Sequence, residues 1–294
     1  MNDFIELSPK ETWQCISPYV CVDQNYDRLA SPLIRRTLKA AIKKIIRKNS
    51  HEVKRTEEYV SFAYHDKWLS RDITTSVSLG GQVCTKWNSN RFIVYGAGLR
   101  KLHTLRLMRL IDKLKPKTVI DIGCGNGERI LQLACRFPEI QFTGLELTPS
   151  GIEAAKKIQA LDALPRQLAE FSPEPLQDLT VHKSVNFICG SAKKTLFDDN
   201  SFDLLYTSLS LEQMDLIRKE VLCELYRITN KFASFYEAFS DFNRGLVQRA
   251  YVFGEAYFTG SLQELESVGF RDIVVSCDLP QKIYMNTVHV LAKK

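Results

Sequence analysis

No two cysteines of this chain stand in C-x-x-C spacing; the eight, at 15, 21, 84, 124, 135, 189, 223 and 277, are scattered. That scatter excludes a zinc ribbon or a thioredoxin-like motif, because both need paired thiols held within reach of one another. The reading that remains is reduced cysteine acting as a small hydrophobe, with Cys189 and Cys277 inside apolar strand-like runs. Nor does any run approach the roughly 18 apolar residues that a bilayer span requires. The opening MNDFIELSPKETW lacks the basic-then-apolar pattern of a secretory leader, so a cytoplasmic protein is expected. There is no G-x-x-x-x-G-K-[ST] to cradle a phosphate, and no cluster of metal-ligating residues at convincing spacing.

What is there begins with charge. The net charge is +6, but Arg28 to Lys48 carries eight Lys or Arg and no acidic residue, leaving about −2 for the rest. An apolar content of 45% with 25% charged residues is that of a folded globular chain.

From about residue 97 onward helical and strand patterns alternate, as in a doubly wound α/β domain. A lead-in helix, GLRKLHTLRLMRLIDKLKP, stops at Pro116. Strands follow at 118–123, 141–147, 185–190, 202–208 and 232–239, mostly continuous apolar runs suited to burial on both faces of a parallel sheet. Thr148-Pro149 caps a helix, and Ser210 to Gln213 and Ser261 to Glu264 read as capping boxes for two more. Runs 271–279 and 286–294 read as a closing antiparallel hairpin, for seven strands in all. Residues 163–183, with three prolines, read as an irregular excursion. Residues 1–96 show no such alternation and read as a mainly helical extension, with a basic helix at 33–48 and an aromatic stretch from Tyr59 to Tyr95.

The stretch VIDIGCGNGERI spaces its glycines as G-x-G-x-G at 123, 125 and 127, with Glu128 next. A dinucleotide fold needs G-x-G-x-x-G, and a glutamate at that helix mouth repels a pyrophosphate. The expected ligand is therefore a nucleoside without phosphates.

VIDIGCGNG resembles motif I of the class I S-adenosylmethionine-dependent methyltransferases, and the likeness extends over residues 97–294. The resemblance implies a Rossmann-like seven-stranded sheet with an antiparallel C-terminal hairpin, and S-adenosylmethionine as cofactor. It implies that Asp121 holds the methionine ammonium and that the backbone at Gly123, Cys124, Gly125 and Gly127 passes under the nucleoside. Glu146 and Leu147, at the end of the second strand, meet the ribose, where a carboxylate can accept from both hydroxyls. Ser191 and Ala192 then lie at the adenine, although the family commonly has an acidic residue where Ser191 stands. Thr207 and Ser208 lie beside the methionine moiety, with Glu212 and Gln213 toward the acceptor, in a run FDLLYTSLSLEQM that is similar to the family's FD(V/L)…LEH. The N-P-P-[YF] and D-P-P-Y tetrads of base-amine methylation are missing.

Methyl transfer is an in-line displacement that needs alignment, and a base only where the acceptor must lose a proton. Candidates near the chemistry are Glu237, His65, Glu212, Gln213 and His103, with His65 in an aromatic stretch that could lid the site. His51, His182 and His289 read as surface or strand residues. Aromatic residues at 242–258 either wall an acceptor pocket or pack the flank. The expected function is methylation of an oxygen or nitrogen on a small or sugar-bearing acceptor, with residues 1–96 as the lid. Two alternatives stay open: a macromolecular acceptor, RNA or protein, gripped by the basic helix, and a catalytically silent module that binds the donor. That helix, with Leu38, Ala41, Ile42, Ile45 and Ile46 on one side, packs on the domain, lies on an anionic membrane or lipid-linked substrate, or grips nucleic acid.

Overall fold

The computed structural model describes residues 6–22, 24–46, 55–70, 73 and 75–294. Its helices are α1 (Pro9–Ile16), α2 (Tyr26–Ile46), α3 (Glu57–Leu69), α4 (Gly96–Leu114), α5 (Glu128–Arg136), α6 (Pro149–Gln159), α7 (Arg166–Phe171), α8 (Arg218–Ile228), α9 (Leu246–Glu255) and α10 (Leu262–Val268). Its strands are β1 (Gln82–Trp87), β2 (Asn90–Tyr95), β3 (Thr118–Ile122), β4 (Gln141–Glu146), β5 (Asn186–Cys189), β6 (Phe202–Ser208), β7 (Thr229–Glu237), β8 (Arg271–Ser276), β9 (Gln281–Lys282) and β10 (Val288–Lys293).

Seven strands form one sheet in the order β5-β4-β3-β6-β7-β10-β8, parallel from β5 to β7, with β10 antiparallel to β7 and β8. This is the expected doubly wound sheet. Its apolar runs feed two cores because alternate side chains leave a strand on opposite faces. Leu204 and Tyr206 join the cluster that contains α5 and α6 side chains, while Leu205 joins the one under α8 and α10. Lys115 adopts a left-handed turn (φ 46°) that ends α4 before Pro116, and the Thr148 hydroxyl accepts from the Gly151 N–H to start α6.

Several expectations need correction. The extension is mainly helical, through α1, α2 and α3, but it also holds strands: β1 and β2 form a hairpin, and β9 from much later in the chain pairs with β1, making a second, three-stranded sheet. The 163–183 excursion contains α7, whose Leu168 enters the core. Neither capping box forms. Ser210 and Leu211 give their N–H groups to Glu237, two 3-10 turns follow, and the helix begins only at Arg218. Glu264 is taken by Arg218, Nε to Oε2 at 2.7 Å, and Ser261 makes no side-chain cap. Cys189 and Cys277 are exposed, because β5 and β8 are the two edges of the sheet, whereas Cys15, Cys84 and Cys135 are buried. Helix α2 runs to 46 among the described residues, so Arg47, Lys48 and His51 lie outside them. It turns Ala30, Thr37 and Ala41 inward and leaves Ile42, Ile45 and Ile46 in solvent. Helix α9 packs on that small-residue side, where Gly254 approaches the Ala41 backbone.

One glycine of the loop is fixed by packing. Gly127 caps α5 at φ 76°, and a Cβ there would stand 2.9 Å from the Phe187 ring. Gly127→Ala is expected to lower stability by about 2 kcal/mol or more, from left-handed strain plus overpacking. A urea titration that left the midpoint unchanged would contradict this account of the position.

Candidate functional site

The carboxyl ends of β3, β4 and β6 and the loop after β5 open into a cavity of about 320 Å³. The position follows from topology: β3 lies between β4 and β6, so the connections leaving it diverge and a crevice opens at the switch point. Gly123, Glu146, Leu147, Ala192, Ser208 and Glu212 line it from the sheet side. Helix α3 roofs it with Glu57, Val60, Tyr64, Lys67 and Trp68, and α4 contributes Arg100.

Glu146 is the hub. Its Oε1 accepts from the Thr148 N–H (2.9 Å) and hydroxyl (2.7 Å), and its Oε2 from the Gly125 N–H (3.0 Å). One carboxylate thus ties the glycine loop to the start of α6. Asp121 is almost fully buried, and the Tyr206 hydroxyl donates to its Oδ2 at 2.7 Å. Burial pushes the Asp121 carboxyl up to about 6, against the opposing pull of the Arg129 charge and the Tyr206 hydrogen bond. Trp68 lies flat against the glycine loop: Gly125 is left-handed (φ 57°), and a Cβ on it would fall 2.7 Å from the indole. At the other end of α3, Glu57 accepts a short hydrogen bond from the Ser191 hydroxyl. Ser191, Cys124, Gly125, Gly127, Asp121 and Thr207 are not among the residues that line the cavity.

The catalytic candidates divide. Glu212 and Gln213 line the cavity; burial raises the Glu212 carboxyl, with Lys282 and Arg55 pulling against it, and the Gln213 Oε1 accepts from Arg55. Glu237 is wholly buried behind the turn after β6, where its Oε1 accepts from the Ser210 N–H (3.1 Å) and the Leu211 N–H (3.3 Å). Burial, helped by the Glu212 charge, pushes it up to about 8. It holds the turn that carries Ser208 to Glu212 and is not on the acceptor side. His103 is also buried: its Nδ1 is 2.9 Å from the Ser208 hydroxyl and its ring stacks on Tyr236 at 3.8 Å. Burial and neighbouring Arg129 hold it far below its usual range, so it is neutral and orients Ser208. His65 is exposed, because the cavity face of α3 recurs at 57, 60, 64, 67 and 68 and residue 65 falls outside that stripe. Of the rings of 242–258, Tyr251 packs on Tyr284 at 4.5 Å and Phe258 on Phe239 at 5.5 Å, while Phe253 stays exposed; none lines this cavity. Sequence reasoning missed Trp68, Glu57, Arg100 and Arg129. The three-and-four spacing on α3 was present, but its mixture of acid, base and aromatic residues gives no hydrophobic period to detect.

A methyltransferase-domain family model matches residues 120–236, a span that runs from the β3 glycine loop to β7. The chain is 30% identical over 95 residues to trans-aconitate 2-methyltransferase of Rhodococcus jostii, a stretch covering 32% of this chain and 37% of that protein. The chain thus aligns with little more than a third of that relative's length. In fold it is similar to a candidate O-methyltransferase of Nostoc punctiforme (TM-score 0.55, 13% identity, 90% of this chain and 71% of that one). It is also similar to the [4+2]-cyclase SpnF (TM-score 0.54, 16% identity, 83% of this chain and 97% of that one). These two neighbours share with this chain the fold that carries its seven-stranded sheet.

Proposed function

We propose that this chain transfers the methyl group of S-adenosylmethionine to an oxygen or nitrogen of a small organic acceptor. The observation that carries the reading is the cavity at the β3/β4/β6 switch point, with Glu146 and the glycine loop on one side and Glu212 on the other, inside a methyltransferase domain. The residues present fit the donor. A buried acid, Asp121, suits an ammonium; the Glu146 carboxylate suits a diol; Leu147 and Ala192 give apolar walls for a base; and Arg100, lining the cavity, suits a carboxylate.

When bound, the donor supplies a methyl group activated by the positive sulfonium. The chain's own part is alignment and exclusion of water: α3 roofs the cavity, His103 fixes Ser208, and Glu237 fixes the turn beneath Glu212. Glu212, whose carboxyl is raised by burial, takes the acceptor's proton where one must leave. The roofed cavity of about 320 Å³ favours a small acceptor over a macromolecule.

Asp121 makes donor affinity pH-dependent. Protonation removes the charge that attracts the ammonium, so affinity is full above pH 6 and falls as pH drops through about 6, by up to about tenfold per unit. Calorimetric titrations with S-adenosylhomocysteine between pH 5 and 8 check this, and the Asp121→Asn protein is expected to show a flat profile.

The reading itself is tested by turnover of labelled S-adenosylmethionine over a panel of small phenols, amines and carboxylic acids. Label transfer abolished in Asp121→Ala supports it. Because SpnF shows a cyclase on this fold, donor binding with no transfer to any acceptor would instead favour a silent or non-transferring role.

A further inference from the structure

Helix α2 presents solvent with the wrong residues for a merely solvated face. Ile42, Ile45 and Ile46 are 55%, 61% and 76% exposed, and they are interleaved with exposed Arg35, Lys39 and Lys43. From Arg28 to the helix end there is no acidic side chain to balance them. Scattered exposed hydrophobes are ordinary, but three isoleucines within five residues, on one arc and set among cations, are a patch.

The patch has a neighbour of the same character. A second cavity, of about 440 Å³, is formed around α9 and the loop before it, with Arg244 and Arg249 at its edge and Val252, Phe253 and Phe258 as apolar wall. Among the described residues neither arginine has a carboxylate within ion-pairing distance, and both are exposed. Phe253 joins the two features. Its carbonyl accepts from the Lys44 ammonium at 2.9 Å, which pins α2 to α9, while its ring lines the cavity and is 44% exposed.

We propose that the outward face of α2 and the α9 cavity together form a docking surface for an anionic phospholipid bilayer. Isoleucine and phenylalanine side chains enter the headgroup boundary, the lysines and arginines pair with anionic headgroups, and the two cavity guanidiniums take a phosphodiester in forked hydrogen bonds. The apolar share of the patch favours a bilayer over RNA, whose phosphates would engage the cations and leave three isoleucines in water. The surface lies outside the proposed methyl-transfer machinery and does not depend on that reading.

Flotation of the full chain with phosphatidylcholine vesicles, with and without phosphatidylglycerol, tests the proposal. Binding is expected only with the anionic lipid. The pairs Ile42→Asp with Ile46→Asp and Arg244→Glu with Arg249→Glu should each reduce partitioning about tenfold or more. Donor binding by the same samples reports their folding. If the isoleucine pair does not fold, Lys39→Glu with Lys43→Glu gives the same readout from wholly exposed positions. The proposal falls if wild type ignores anionic vesicles, if both pairs bind as wild type does, or if polyuridylate retains the protein and vesicles do not. Vesicle binding without any donor binding would leave this surface standing and remove the methyltransferase reading alone.

Discussion

Glu146→Ala is expected to abolish measurable donor binding and to destabilise the chain at the same time. In the folded protein the carboxylate satisfies three donors at once: the Gly125 N–H, the Thr148 N–H and the Thr148 hydroxyl. Its removal leaves those groups buried without a partner, each costing about 1–3 kcal/mol, and frees the glycine loop from the start of α6. The proposed diol contact is lost with it, and a charge-assisted pair of hydrogen bonds contributes about 1.5–3 kcal/mol per bond. Glu146→Gln separates the two effects. The amide can still accept at one atom, so it should recover most of the stability while binding remains weakened by tenfold or more. Calorimetry with S-adenosylhomocysteine alongside urea unfolding reads both quantities. Equal affinity in wild type and Glu146→Gln would show that this carboxylate serves only the loop.

The second large effect is a pH dependence of stability rooted in Glu237. Its carboxyl is held up to about 8 by burial in the fold, whereas in the unfolded chain it titrates near its ordinary 4.5. Below about pH 4.5 both states carry the proton and no difference arises. As pH rises from there toward 8, the unfolded chain loses the proton and the native chain keeps it, so stability falls across that window and levels off above it. The loss approaches several kcal/mol at pH 8, the order expected for a shift of this size in a fully buried group. Glu237→Gln can still accept from Ser210 and Leu211 and carries no ionisable proton, so its stability should decline far less between pH 5 and 8. Denaturant midpoints at four pH values decide the matter: parallel curves for the two proteins would locate the sensitivity elsewhere. Turnover should be affected only as far as the turn that carries Glu212 is displaced.

Strand positions were legible because a strand buried on both faces leaves a run of apolar residues that no surface helix produces, as at TVIDI and FDLLYTS. The glycines after β3 were legible for a related reason: a bend that needs left-handed residues admits few side chains. What stayed hidden was set by distant partners. Ser210 and Glu264 had the spacing of capping boxes, but Glu237 and Arg218 competed for the same groups and won. Glu237 read as a candidate near the chemistry because it closes its strand at the carboxyl edge of the sheet, although its carboxylate turns under the following loop. The arc of α2 that faces inward carries the small residues Ala30, Thr37 and Ala41 against α9, β1 and β2, partners the helix's own sequence does not name, and the larger isoleucines are left outside. Likewise the α3 stripe over the cavity has meaning only once β3, β4 and β6 supply the floor.

The pairing of β1 with β9 bears on synthesis. Thr85 faces Lys282 across that ladder, so a hairpin made early waits for a strand some two hundred residues further along the chain before its open edge is covered. During translation that edge is exposed to other nascent chains, and closing so long a loop is entropically slow. A chain made only as far as β8 has, in the same way, a large sheet that still lacks β10, the strand between β7 and β8, so β8 has no partner until β10 follows it.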